Sequence, residues 1–132
     1  MDLYYINPQT TATPRGYSHA ISVSGNHKTI YIGGQNAVDQ QGNIVGKGNL
    51  KMQTEQALTN IEKILKEANA ELENVVKFNI YLVVGQNPQE GFQAFQQKWN
   101  SKNFPTITVV FVAGLGNPEW LVEIDAVAVV AK

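Results

Sequence analysis

The most apolar part of the chain is its last third. Ile107-Thr108-Val109-Val110-Phe111-Val112 forms one run, and Leu121 to Val130 forms a second. Both are rich in β-branched residues and free of Pro and Gly at their centres, which predicts buried strands rather than helices. Upstream, the alternation over 18–24 puts Ile21 and Val23 on one face and predicts a strand. Ser24-Gly25-Asn26-His27-Lys28 reads as a turn, and Thr29-Ile30-Tyr31-Ile32 as a second strand ending at Gly33-Gly34. Two short strands around a Gly-Asn turn predict a hairpin. Residues 1–16, punctuated by Pro8, Pro14 and Gly16, read as an extended or looped lead-in. Asp39 to Asn43 reads as a turn and Gly46-Lys47-Gly48 as a loop.

Helical periodicity appears twice. Leu50, Thr54, Leu58, Ile61, Leu65 and Ala68 recur at helical spacing, widened by Ala57 and Ile64, with Asn49 as N-cap and Asn69 as a left-handed end. This predicts a helix over about 50–69. Asn87-Pro88-Gln89-Glu90 carries a cap, a proline at the first helical position and a glutamate three after the cap. Phe92, Phe95 and Trp99 are the buried stripe of the helix it opens. Between the helices, 74–84 alternates as a strand, with Val76, Phe78, Ile80, Leu82 and Val84 on one face.

The resulting order is strand–strand–helix–strand–helix–strand–strand, an α+β pattern in which helices cover one face of a mixed sheet. Two helices cannot cover both faces, yet both faces of the last strand carry apolar residues. The excess apolar surface predicts a subunit interface.

With 132 residues, 43% of them hydrophobic, the chain fits a single domain spanning 1–132 with one packed core. A net charge of −1 gives it no general attraction to nucleic acid or an anionic membrane. The absence of cysteine removes disulfides, thiolate nucleophiles and Cys-type zinc sites. No apolar run approaches the ~20 residues that span a membrane. The first residues lack the pattern of a signal peptide, so a cytoplasmic location is expected.

Candidate chemistry begins with Glu123 and Asp125, two acids inside an apolar strand. Residues two apart on a strand share a face, ~7 Å from each other. Carboxylates there cost stability unless paired, hydrated or used. His19 is a candidate acid–base group, although a lone strand histidine is more often packed or solvent-facing. His27 falls in a turn, and the two histidines do not make a metal motif. Gly33-Gly34 lacks the spacing, Lys and Ser/Thr of a phosphate loop, and no cofactor is implied.

Gly16-Tyr17-Ser18-His19-Ala20, Tyr31-Ile32-Gly33-Gly34-Gln35, Gln53 to Ile61, Val75-Val76-Lys77-Phe78, Phe104-Pro105 and Leu121 to Ala126 follow one another over nearly the whole chain. As an ordered set they resemble the reactive-intermediate deaminase (Rid, YjgF-like, L-PSP endoribonuclease-like) family. The resemblance implies a chorismate-mutase-like fold, a homotrimer and a small-molecule cleft between subunits. It also implies hydrolysis of 2-aminoacrylate-like enamines and imines to 2-oxo acids and ammonia. Tyr17 then matches the family's cleft tyrosine and Glu123 its water-positioning glutamate. The arginine that clamps the substrate carboxylate falls at Ile107, which cannot make that pair. Thr108 and Gly34 are expected to line the cleft and offer backbone N–H groups in place of the guanidinium. Arg15, the only arginine, is either a substitute clamp or a solvated loop residue. Two functions follow: a hydrolytic deaminase with a substrate unlike 2-aminoacrylate, or a non-catalytic, metabolite-binding or regulatory trimer. Ribonuclease activity fits poorly, because there is no basic stripe and no aromatic stacking run.

Overall fold

The computed structural model describes residues 1–132. Six strands and two helices follow in the order β1 (Asp2–Ile6), β2 (Ala20–Ser24), β3 (His27–Gln35), α1 (Leu50–Glu67), β4 (Val75–Val83), α2 (Pro88–Lys98), β5 (Thr106–Val112) and β6 (Val122–Ala131). A mixed four-stranded sheet in the order β3-β6-β4-β5 carries both helices on one face. The β4–β5 pair is parallel and the other two pairs are antiparallel. This is the α+β architecture that the helix and strand periodicities predict.

The helices form where their start signals lie. Asn49 Oδ1 accepts from the Met52 N–H at 3.0 Å, and Asn87 Oδ1 accepts from the Gln89 N–H at 3.1 Å. Asn69, with φ of 56°, takes the left-handed conformation that closes α1. Leu50, Ala57, Leu58, Ile61 and Leu65 from α1 meet Phe78 and Leu82 of β4 and Val122, Ile124, Ala126 and Ala128 of β6. Phe78 stands edge-on to Phe95 and Trp99 of α2, with centroids 5.7 and 6.3 Å apart. Lys98 and Glu62 join α2 to α1 at 2.7 Å.

Three expectations for the N-terminal part are corrected. Residues 1–16 are not a structureless lead-in, because Asp2–Ile6 forms β1. Its alternation, with Leu3 and Tyr5 turned inward, is too short to stand out and becomes a strand only through its partner. That partner is β2: Ile6 pairs with Ala20 and Asp2 with Ser24. Consequently β2 and β3 do not form the expected hairpin. Gly25, with φ of 84°, swings the chain out of the two-stranded sheet, and β3 pairs with β6 instead. His27 opens β3 opposite Ala131 and its ring hydrogen-bonds Gly25 O at 2.8 Å, so it belongs to a strand rather than a turn.

The sheet face away from the helices bears Tyr31, Val110 and Val127 together with Asn79, Tyr81, Glu123 and Asp125. Tyr31 is 81% exposed and Val110 45%. No helix of the protein is long and apolar enough to cross a membrane.

Candidate functional site

Glu123 lies on the face of β6 opposite the buried Val122 and Ile124, so its carboxylate emerges on the helix-free side of the sheet. Asn36, only 9% exposed, donates from Nδ2 to Glu123 Oε1 at 3.2 Å and to Val122 O at 3.3 Å. Asn36 is itself held from α1. Asn60 Nδ2 donates to Asn36 O at 3.1 Å and to Val38 O at 2.9 Å, and Gln56 Nε2 donates to Asn60 Oδ1 at 2.9 Å. A line of amides therefore runs from the helix, through the 36–38 loop, to one oxygen of the acid. The other oxygen lies over Gly34, where a Cβ would stand 2.5 Å from Oε2. That oxygen makes no hydrogen bond within the chain and is free to accept one from water or a ligand.

Beside Glu123, Asp125 is tied to β4: Asn79 Nδ2 donates to Oδ1 at 2.8 Å and the Tyr81 hydroxyl to Oδ2 at 3.1 Å. Both Asp125 oxygens are thus engaged, which separates a structural acid from an available one. The hydrogen bond to Asp125 pushes the Tyr81 phenol above its ordinary value of 10.0, aided by the charge of Asp125, by burial and by the charge of Glu123. Burial alone raises Tyr5. A raised folded-state value means that the native protein holds these protons more tightly than the unfolded chain. Their contribution to stability is complete below pH 10 and is lost as pH climbs through the folded-state values. In an alkaline titration followed by the NMR signals of the tyrosine rings, Tyr81 is expected to titrate above 10, and Asp125→Asn to bring it back down.

Thr108 is exposed on the same sheet face as Glu123, opposite Asn79 on β5. It is two strands from Asp125, roughly 10 Å by strand spacing. Ile107 points the other way, packs against the core and, with Phe78, Phe92 and Val109, lines an apolar cavity of about 60 Å³. Tyr17 is half-buried on the loop before β2, edge-on to His19 at 5.6 Å. Its neighbour Ser18 fixes that loop to the entry of β5, donating from Oγ to Phe104 O at 2.7 Å and from N to Pro105 O at 2.9 Å. His19 Nε2 donates to Ala12 O at 2.7 Å. Arg15 is exposed at a cleft lined by α2, on the helix side of the sheet. Within one chain, Gly34 and Glu123 come together and Thr108 shares their face, whereas Ile107 and Arg15 lie on the side of the helices.

Sequence reasoning missed Asn36, Gln56 and Asn60. Gln56 and Asn60 are spaced i, i+4 beside an apolar stripe, which signals a polar contact of α1 with something. Spacing alone does not say which backbone they reach.

Comparison with known proteins places the chain in a family and a fold. The endoribonuclease L-PSP family model matches residues 8–130. A RutC family protein of Synechocystis sp. is 34% identical over 131 residues, covering 98% of both chains. The human 2-iminobutanoate/2-iminopropanoate deaminase is 34% identical over 113 residues, covering 86% of this chain and 79% of its own. Among solved structures, the Rid family protein YyfB of Yersinia pestis superposes with a TM-score of 0.85 at 32% identity, covering 97% of this chain and 98% of its own. RidA of the Antarctic bacterium Psychrobacter sp. gives 0.71 at 30%, covering 96% and 98%. The fold is that of the YjgF-like α+β proteins, and the chain belongs to the endoribonuclease L-PSP family, the Rid or YjgF-like proteins.

Gly34 gives a test of the Glu123 seat. Its φ is not in the left-handed region, so alanine fits the backbone there, and the atoms that a Cβ would strike are the far end of the Glu123 side chain. Gly34→Ala is therefore expected to fold normally, with a stability change within ~1 kcal/mol. It should displace the carboxylate and weaken whatever ligand Glu123 serves. A crystal structure of the variant with Glu123 unmoved would refute this.

Proposed function

We propose that this protein is a Rid-type hydrolase that deaminates a small imine or enamine metabolite, in a cleft around Glu123 formed between subunits of a homotrimer. One observation carries the reading. Glu123 is a half-exposed carboxylate with one oxygen anchored by Asn36 and the other open above a glycine. Such a group can take a proton from water as the water oxygen bonds to an imine carbon. The C=N electrons pass to nitrogen, which gains a proton. The carbinolamine then expels ammonia and leaves a carbonyl, so imine and water become carbonyl compound and ammonia. The deaminase relatives, named for 2-iminobutanoate and 2-iminopropanoate, support this chemistry.

Tyr17 would line the cleft from the loop that Ser18 holds at the start of β5, and Thr108 and Gly34 would supply hydrogen bonds. Trimerisation is supported by the uncovered sheet face with its exposed Tyr31 and Val110. The resemblance puts the family's carboxylate clamp at Ile107, whose side chain packs against the core on the helix side of the sheet and brings no guanidinium to the Glu123 cleft, so the substrate differs from 2-aminoacrylate. A cleft without that guanidinium favours a ligand that carries no carboxylate to be buried unpaired.

The test couples imine formation by an amino-acid oxidase to imine disappearance. Wild type is expected to process 2-iminopropanoate about a hundredfold more slowly than an arginine-bearing Rid enzyme, since a charge-assisted contact is worth ~2–3 kcal/mol. Imines without a carboxylate should be hydrolysed faster than 2-iminopropanoate. The second reading, a non-catalytic binding trimer, draws on the apolar packing of Ile107. It is favoured if no imine is hydrolysed above background while neutral metabolites raise the melting temperature.

A further inference from the structure

The only arginine of the chain has no ionic or hydrogen-bonded partner in the fold. The two ion pairs are Lys47–Glu119 and Lys98–Glu62, and no side-chain hydrogen bond leaves Arg15. It stands at the rim of an open cleft of about 310 Å³, between the 15–16 loop, the outer surface of α2 and the 101–104 loop. Phe92, Trp99 and Phe104 form the apolar walls, and Gln96 and Ser101 are the other polar side chains that line the cleft. No acidic residue lines it. Trp99 is held rigidly, stacked on Phe95 with centroids 5.5 Å apart and donating from Nε1 to Asn103 O at 3.2 Å. The Ser101 hydroxyl accepts from Asn103 N at 3.1 Å, which leaves its proton for another acceptor.

We infer that this cleft is a second ligand site, for a small monocarboxylate with a planar aromatic body, on the opposite side of the sheet from Glu123. The reading goes beyond the proposed deaminase activity and does not depend on it. A single guanidinium offers a planar fork that matches one carboxylate in a bidentate pair. A dianion such as phosphate would need more positive charge than one exposed arginine supplies, and no lysine lines the cleft. The aromatic walls suit a flat ring, which gains by edge-on contact. The volume is at the lower end of that of small-molecule sites, ~300 Å³ and above. Because Arg15 is exposed, binding should weaken with added salt.

Benzoate is the probe, with benzamide as its neutral analogue of the same shape and inorganic phosphate as a non-aromatic anion. Binding to the full-length protein is followed by NMR at the Gly16 amide, the Gln96 side-chain amide and the Trp99 indole. Benzoate is expected to give saturable shifts at these three groups with a Kd of about a millimolar. Benzamide and phosphate should each bind at least about tenfold more weakly. Arg15→Gln should weaken benzoate by about tenfold or more, Arg15→Lys by less, and Glu123→Gln should leave it unchanged. Equal benzoate binding in wild type and Arg15→Gln would overturn the inference. So would shifts centred on Gly34 and Glu123, equal binding of benzamide, or no saturable shift at all.

Discussion

Gln53→Leu is expected to lower stability by about 3–4 kcal/mol, the largest loss from any single polar side chain here. Gln53 is 0% exposed. Its Nε2 donates to Gly46 O at 3.2 Å and Glu119 O at 3.0 Å, and its Oε1 accepts from Leu121 N at 2.9 Å. One amide on α1 thus satisfies three backbone groups from two loops, those before α1 and before β6. Leucine matches its size but leaves the three groups without partners, at ~1 kcal/mol or more each. Since a domain of this size has only ~5–15 kcal/mol in total, the change is large. Urea denaturation should show a lower midpoint with an unchanged slope. Gln56→Leu, which removes a 2.9 Å bond to the half-buried Asn60, should cost only about 1 kcal/mol. Similar losses for the two variants would mean that the Gln53 network does not hold the loops.

Glu123→Gln is expected to lower the proposed imine hydrolysis by about 10²- to 10⁴-fold, the usual range for removing a general base. Stability should change little. The glutamine carbonyl can still accept from Asn36, whose present bond is a long 3.2 Å. Glutamine fills the same volume above Gly34 but cannot take a proton from water. The informative pattern is a fall in kcat with an unchanged melting temperature. Activity within a few fold of wild type would remove Glu123 from the chemistry and leave it a structural acid like Asp125.

The amphipathic stripe of α1, the caps at Asn49, Asn69 and Asn87, and the alternation of β4 and β6 were legible along the chain, because each depends on contacts within a few residues or on a simple period. The two acids in β6 were legible as an anomaly for the same reason: charge inside an apolar strand needs a cause. What distinguishes them was not legible. Asp125 is saturated by Asn79 and Tyr81, 46 and 44 residues away, while Glu123 keeps an open oxygen. The partners of β2 and β3 were also beyond local reading. A Gly-Asn turn fits a hairpin, yet β2 finds β1 and β3 finds β6, because strand pairing is decided by which edges the packed core leaves free. Ile107 and Thr108 are adjacent in the sequence, and only the placement of the helices shows which of them faces the core. Local periodicity determined both helices and five of the six strands, while β1 arose only through its pairing with β2. Long-range packing decided which carboxylate is available and which side of the sheet each candidate faces, since burial and hydrogen bonding across the sheet depend on residues that the chain brings together only after it has folded.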